Sequence, residues 1–316
     1  MLADMPRWVC ILLACGALSG CAPTAQPTTS PAQPAATAPT PAPRQSASGY
    51  IRYWPGELPI VLSVPHDGGL EPTDIPDRTE GVTVRDSYAR ALAEAIRDAL
   101  TKKFGRAPHL IVCELSRKKV DGNRELAGAT QGHPRAVQVW QEYHAFIDEA
   151  EQAVRARSAH GLYLDIHSHG HPIKRMEIGY LLKPADLNLS DAALNTNAVR
   201  DRSSIRALGG LTASGFAELV RGPTSLGGLL EARGLAALPS PKQSLAPGDP
   251  YFNGAYDIAA HGSRDRAQLD GIQLEVPLQM RGTAAQRAAT AQALADALEV
   301  YFAKHYGQPL ATPAGR

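Results

Sequence analysis

Two short segments carry histidines where a buried strand would deliver them to an active site. Residues 59–66 read Pro-Ile-Val-Leu-Ser-Val-Pro-His, and residues 162–171 read Leu-Tyr-Leu-Asp-Ile-His-Ser-His-Gly-His. Both are apolar runs rich in branched side chains. Because ligands of α/β proteins bind at the carboxyl ends of strands, we expect His66 and His167 to meet there. Two neutral imidazoles and one carboxylate form the ligand set of a catalytic zinc ion, which keeps one position open for water.

The third metal ligand stays open at this level. Asp86 stands at the start of a helical pattern that follows the His66 loop, and it is the first candidate. An acidic residue in a first helical turn is also ordinary, because it complements the helix dipole. Asp67 and Asp165 are the alternatives. Asp165 points to the same side of its strand as His167, so it would equally suit a partner behind that ligand.

His169 and His171 extend the second histidine segment. Three imidazoles from one strand would crowd a single ion, so at least one of this pair is predicted to contact substrate or solvent. Zn²⁺ is the expected ion, although the same ligand set accepts several divalent metals.

Two further polar segments follow apolar runs. Residues 115–125 place Arg117, Asn123 and Arg124 directly behind a predicted strand. A guanidinium matches a carboxylate with two parallel hydrogen bonds, which a lysine cannot do. Residues 271–281 place Glu275 in the middle of an apolar strand, where burial favours a general base. The alternatives are a charged surface turn and an edge-strand glutamate that faces solvent.

In chain order these segments are Pro-His-x-Gly-Gly, a helix-initial Asp, Ser-Arg-x5-Asn-Arg, Asp-x-His-Ser and Gln-x-Glu. The series resembles a divergent branch of the N-formylglutamate amidohydrolase family. Asp-x-Asn-Arg and Asp-x-His-Ser are also similar to the carboxylate-binding and metal-ligand segments of zinc carboxypeptidases. The resemblance covers about residues 58–302. It departs at position 69, where a carboxypeptidase-like His-x-x-Glu pair would have glutamate and this chain has glycine.

The resemblance implies a phosphorylase/hydrolase-like domain and a zinc-dependent hydrolase that cleaves an amide bond in a small, carboxylate-bearing substrate. The implied metal ligands are His66, Asp86 and His167. Glu275 would be the general base and then the general acid, and Arg117 would stabilise the oxyanion. Asn123 and Arg124 would bind the substrate carboxylate, with Arg281 as the next candidate.

Two other functions stay open. A cell-envelope metallocarboxypeptidase or cell-wall peptide amidase would need a wider pocket from residues 238–254. A carboxylate-binding lipoprotein with a decayed site would explain the missing glutamate at position 69.

The amino-terminal region is predicted to lie outside the fold. Residues 8–18 are apolar and run into Leu18-Ser-Gly-Cys21, so residues 1–20 have the form of a signal peptide. That apolar stretch is too short for a membrane-spanning helix. The segment resembles the lipobox of bacterial lipoproteins, which implies acylation of Cys21 and, with Ala22 behind it, an outer-membrane protein facing the periplasm. Residues 21–48 are rich in Pro, Ala and Thr, which is typical of a disordered tether.

Residues 49–308 are predicted to form one α/β domain, and residues 309–316 a flexible tail. Strand patterns at 60–64, 110–113, 162–166, 178–182 and 272–276 alternate with helical patterns at 84–104, 137–157 and 284–305. This order indicates a central mixed, mostly parallel sheet flanked by helices. The net charge is +1 and no basic run has interleaved aromatic residues, so we expect no nucleic-acid partner.

Overall fold

The computed structural model describes residues 42–265 and 269–310. Its strands are β1 (Arg44–Gln45), β2 (Ile51–Trp54), β3 (Ile60–Val64), β4 (His109–Cys113), β5 (Leu162–His169), β6 (Met176–Gly179), β7 (Ala237–Leu238) and β8 (Asp270–Pro277). They form one eight-stranded sheet in the order β1-β2-β4-β3-β5-β8-β6-β7. The strands β4, β3, β5 and β8 pair in parallel, as do β6 and β7, whereas the other neighbours pair antiparallel. The predicted mixed sheet is confirmed.

Helices cover both faces of this sheet. They are α1 (Ala89–Phe104), α2 (Leu126–Thr130), α3 (Pro134–Arg155), α4 (Pro184–Leu187), α5 (Asp191–Leu194), α6 (Asn197–Arg200), α7 (Arg206–Leu211), α8 (Phe216–Arg221), α9 (Leu226–Glu231), α10 (Tyr256–His261), α11 (Leu278–Arg281) and α12 (Ala284–Tyr301), and a π-helical turn (Phe302–Tyr306) follows the last. Successive residues of a strand face opposite sides, so Ile60 and Leu62 pack beneath α1 and α12. Val61 and Tyr163 pack beneath α3.

Several boundaries differ from the sequence prediction. The helix expected from residue 84 begins at Ala89, after Tyr88 in a left-handed conformation with φ of 68°. Asp86 therefore lies in the segment before the helix and not in its first turn. The strand expected at 178–182 is β6, Met176–Gly179. Residues 183–270, which are rich in Gly and Pro and show no regular periodicity, contain α4 to α10 and β7.

The ordered sheet also reaches further towards the amino terminus than predicted. β1 pairs Arg44 with Tyr53 and Gln45 with Arg52, inside the segment assigned to the tether. Residues 1–41, including Cys21, and residues 311–316 of the predicted tail lie outside the described residues. Among the described residues, no helix is both long and apolar enough to cross a membrane.

Candidate metal centre

Three neighbouring parallel strands, β3, β5 and β8, deliver the central polar side chains. His66 follows β3 by two residues, and His167 lies directly opposite Glu275 in the β5–β8 register. Opposed residues on adjacent strands point to the same face of a sheet. Behind His66 the backbone of Gly68 lies against the segment that follows β4, where a Cβ atom would come within 2.2 Å of the Leu115 carbonyl oxygen. Glycine is therefore required at position 68 for the close approach that turns the chain after His66.

Three ligand atoms converge at this edge of the sheet. His66 Nδ1 lies 3.2 Å from His167 Nδ1 and 3.5 Å from Asp86 Oδ2, and His167 Nδ1 lies 3.0 Å from the same oxygen. A tetrahedral zinc site with bonds of about 2.1 Å separates its ligand atoms by about 3.4 Å. All three side chains are buried. The spacing therefore fits one divalent ion bound between His66, Asp86 and His167.

The geometry separates Asp86 from the other two carboxylates that the sequence left open. Asp67 accepts hydrogen bonds from Arg85 Nε at 2.7 Å and from the Arg90 amide at 2.8 Å, so it faces the start of α1. Asp165 lies behind His167, with Oδ2 2.6 Å from Nε2. Gly69 lies beside Arg85. Of these three carboxylates, that of Asp86 lies beside both Nδ1 atoms, so a third ligand would come from the segment before α1 and not from position 69.

Each histidine is oriented by a buried carboxylate on its far nitrogen. His66 Nε2 lies 2.6 Å from Asp121 Oδ1, and His167 Nε2 lies 2.6 Å from Asp165 Oδ2. A carboxylate accepts only, so these short contacts assign the ring proton to Nε2. Both Nδ1 lone pairs then face each other and the Asp86 oxygen. When both rings are neutral, the three acceptors in contact fit a shared cation, and imidazoles that donate to a carboxylate are usual among metal-ligating histidines.

The charges in this cluster shift the pKa of each partner. Burial would raise the pKa of Asp86, but when the rings of His167 and His66 are protonated, their hydrogen bonds to Asp86 outweigh burial and hold this pKa well below its ordinary value, a role that a bound cation would take over. Burial would lower the pKa of His167, but the carboxylates of Asp165 and Asp86 raise it well above its ordinary value. Asp86 is therefore ionised at neutral pH.

Glu275 adjoins the three ligands and is itself buried. Its Oε1 accepts a hydrogen bond from Gln273 Nε2 at 2.9 Å, whereas Oε2 is buried without a hydrogen-bond partner within the described part of the chain. Burial raises the pKa of Glu275 to about 8, and the nearby His167 offsets part of this rise. A carboxyl group in this state can both take and release a proton near neutral pH.

Three arginines surround the outer oxygen of Asp121. Arg117 Nε lies 3.2 Å, Arg78 Nη2 3.5 Å and Arg124 Nε 3.6 Å from Asp121 Oδ2. Burial would raise the pKa of Asp121, but His66 and then Arg117 and Arg78 hold it well below its ordinary value. The Arg78 side chain is 1% exposed and that of Arg124 is 40% exposed, so Arg124 extends towards solvent. The three cations exceed the single carboxylate, which leaves positive charge beside the metal ligands.

Two predicted substrate contacts have other partners in the structure. The Asn123 amide is buried: its oxygen accepts from the Asp257 amide at 2.7 Å, and Nδ2 donates to Gln273 Oε1 at 3.3 Å. Arg281 donates to the backbone carbonyls of Val276 and Ser87. Asn123 therefore supports the metal centre from behind, and Arg281 ties β8 to the segment that carries Asp86. These contacts do not favour direct substrate binding by either residue.

His169 and His171 separate from the metal ligands. His169 Nε2 lies 2.9 Å from the Arg175 carbonyl, and its Nδ1 accepts from the His171 amide, so both ring nitrogens are occupied. His171 Nδ1 lies 2.8 Å from Glu177 Oε1, and its ring stacks on Phe252. Glu177 in turn lies opposite Glu275 in the β6–β8 register. His171 thus borders the centre on the side of Glu275 away from His167.

Sequence reasoning missed Asp121, Gln273 and Arg78 as parts of this centre. Asp121 stands two residues before Asn123 in the quoted motif, and Gln273 stands two residues before Glu275, so strand and turn spacing could have found both. Arg78 lies in a segment without periodicity, and no local signal marks it. A cavity of about 470 Å³ is lined by residues 238–245 and contains none of the metal-centre residues.

No protein-family model and no curated protein sequence matches this chain. The structure of N-formylglutamate amidohydrolase from Ralstonia eutropha JMP134 is similar, with a TM-score of 0.51 and 17% identity over 82% of this chain and 99% of that one. The chain has the fold of that enzyme. A gene product from Agrobacterium tumefaciens has a TM-score of 0.44 and 16% identity, over 80% of this chain and 95% of that one. A metallo-carboxypeptidase from Pseudomonas aeruginosa has a TM-score of 0.37 and 12% identity, over 84% of this chain and 64% of that one.

Proposed function

We propose that this chain is a zinc-dependent hydrolase that cleaves an amide bond in a small substrate bearing a carboxylate. The observation that carries the proposal is the convergence of His66 Nδ1, His167 Nδ1 and Asp86 Oδ2 at tetrahedral spacing, with a buried glutamate on the adjacent strand. A solute-binding protein with a decayed site would not need this complete set. The fold of an N-formylglutamate amidohydrolase agrees with the proposal.

Glu275 carries the proton in this scheme. When bound, a divalent ion supplies Lewis-acid polarisation of the amide carbonyl and acidifies a water molecule. Oε2 of Glu275, which has no hydrogen-bond partner among the described residues, accepts the proton of the attacking water and then delivers it to the leaving nitrogen. Gln273 holds Oε1 and so keeps the carboxylate in one orientation.

Substrate selection is assigned to the arginines around Asp121. Arg124 is the most exposed of the three and presents its guanidinium to an incoming carboxylate. Arg117 stabilises the developing oxyanion. Arg78 is buried and donates to the carbonyls of Glu80, Val82 and Arg117, so it orders the segment that faces Arg124. A substrate analogue whose carboxylate is replaced by an uncharged amide would not be attracted by the excess positive charge of these arginines.

A screen of N-formyl, N-acetyl and N-succinyl amino acids and short peptides tests the function, with and without a metal chelator. Glu275→Gln keeps the shape of the side chain and its contact with Gln273. It should therefore retain bound metal and lower kcat by about 10²–10⁴-fold, the usual contribution of a positioned proton carrier.

Glu177→Gln is the matched control for Glu275→Gln. It amidates a buried glutamate of the neighbouring strand whose oxygens already contact His171 and the Phe252 amide, so its effect should be smaller. Turnover by Glu275→Gln at the parent rate would contradict the general-base role.

We also propose attachment to the outer membrane through diacylated Cys21, with the domain in the periplasm. The support is the Leu-Ser-Gly-Cys segment followed by a Pro-, Ala- and Thr-rich stretch. Two acyl chains anchor a protein stably, whereas one gives only marginal binding.

A further inference from the structure

A second group of side chains that could bind a metal lies between α3 and α10, on the face of the sheet that α3 covers. Asp148 and Glu151 are one helical turn apart on α3, and His261 is the last residue of α10. His261 Nδ1 lies 3.2 Å from Glu151 Oε1 and 3.6 Å from Asp148 Oδ1, and all three atoms lie within 4.8 Å of one another. None of these residues belongs to the centre formed by His66, Asp86 and His167.

Hydrogen bonding sets the tautomer of His261. His144 Nε2 lies 3.1 Å from the Gly122 carbonyl and 4.0 Å from Asp257 Oδ1, two groups that only accept, so this nitrogen carries a proton. His144 Nδ1 then accepts, and His261 Nε2, 2.9 Å away, must donate to it. When the His261 ring is neutral, the lone pair of Nδ1 is therefore directed at the two carboxylates.

The charge of Glu151 is only weakly compensated within the described residues. Its side chain is 0% exposed, and neither oxygen has a hydrogen-bond partner there; the same holds for His261 Nδ1. The Arg155 guanidinium lies 4.0 Å from Glu151 Oε2, which is too far for a hydrogen bond. A buried carboxylate that faces a lone pair is strongly unfavourable unless a proton or a metal cation lies between them.

We propose that Asp148, Glu151 and His261 bind a second divalent metal ion. One imidazole nitrogen and two carboxylates are ligands that Zn²⁺ and neighbouring transition metals accept. The Asp148 side chain is 45% exposed, which provides a route from solvent and leaves room for water as a further ligand. His144 holds the far nitrogen of His261, as the partner behind a metal-binding histidine does.

This second ion has a structural role. It joins α3 to α10, and through His144 it reaches the carbonyl of Gly122, which lies between Asp121 and Asn123. Asp121 orients His66, and the Asn123 amide lies beside His167. The ion therefore fixes the loop that supports the first centre from behind, without contact with substrate.

Metal stoichiometry tests the proposal. The full-length protein is stripped with a chelator, dialysed against micromolar Zn²⁺ and assayed by mass spectrometry of the metal. We expect two equivalents of zinc for the parent and one for Asp148→Asn. The zinc Kd of the second site should rise at least about tenfold, because even the loss of a residue that only supports a metal ligand weakens binding by that much. Glu149→Gln is the matched control, because Glu149 is also 45% exposed and pairs with Arg44 outside the cluster. It should keep two equivalents.

Two further measurements separate the second site from the first. His66→Ala should retain one equivalent, whose X-ray absorption spectrum shows one imidazole ligand, whereas the ion in Asp148→Asn should show two. Glu151→Gln should behave as Asp148→Asn does. If the parent binds one ion and Asp148→Asn still binds it, the proposal is wrong, and a proton on His261 explains the contact with Glu151. If the parent binds one ion that His66→Ala retains and Asp148→Asn loses, the second site is supported and the proposed ion at His66, Asp86 and His167 is contradicted.

Discussion

Replacing Asp165 by asparagine tests how the candidate metal centre holds His167. Asp165 is fully buried, and its Oδ2 contacts His167 Nε2 at 2.6 Å while its Oδ1 accepts from Ser63 Oγ at 2.7 Å. In Asp165→Asn the amide oxygen still accepts the Nε2 proton, and the amide nitrogen faces the Ser63 hydroxyl, which can accept. Shape and hydrogen-bond number are therefore retained, and only the charge is lost.

The expected effect is on metal affinity. A neutral hydrogen bond is about half as strong as one to a carboxylate, so the His167 ring becomes a weaker base and a weaker ligand. Loss of such a partner raises the Kd of a metal about 10–100-fold, or about 1.4–2.7 kcal/mol. Zinc Kd is measured by competition with a chromophoric chelator. An Asp148→Asn background restricts the titration to the first centre.

Asp270→Asn is the matched control. Asp270 is also buried, is on β8, and accepts from a serine hydroxyl at 2.6 Å, but it pairs with Leu162 at the opposite end of the strands from Glu275. Its amidation should lower stability and leave zinc affinity unchanged. An Asp165→Asn protein that binds zinc as tightly as its parent background would refute the assignment of His167 as a ligand supported by Asp165.

Three further predictions concern the ligands, the substrate and the anchor. His66→Ala should remove the ion of the first centre, because two protein ligands hold zinc poorly, whereas His171→Ala should retain it; metal analysis of both variants checks this. Arg124→Lys keeps the charge but loses the planar guanidinium that forms two parallel hydrogen bonds, so it should raise KM for carboxylate substrates and reduce the preference for them over amidated analogues. Equal preference in parent and variant would place the carboxylate contact elsewhere. Cys21→Ala should abolish labelling by a fatty-acid analogue, and a membrane-bound, labelled variant would contradict lipidation.

The central strands and the main helices could be predicted from the sequence because their signals are local. Apolar runs mark β3, β5 and β8, and three-to-four spacing along α1 and α3 reports which side of each helix is buried. Parallel strands place their carboxyl ends at one edge of the sheet, so the meeting of His66 and His167 with Glu275 followed from those runs. The short strands β1 and β2 were not predicted, because four or fewer residues on an antiparallel edge carry almost no periodic signal.

The sequence by itself determined the fold class and the three strands that carry the candidate metal centre. Only the tertiary structure decided which of Asp67, Asp86 and Asp165 lies beside the two Nδ1 atoms. The direction in which each carboxylate points depends on the local course of the backbone, which the sequence pattern does not report. The tertiary structure alone brought Arg78 to Asp121 and His261 to Glu151, pairs far apart in the chain. Periodicity reports the burial of each residue, whereas such contacts depend on how separate elements pack, and packing is a property of the whole fold.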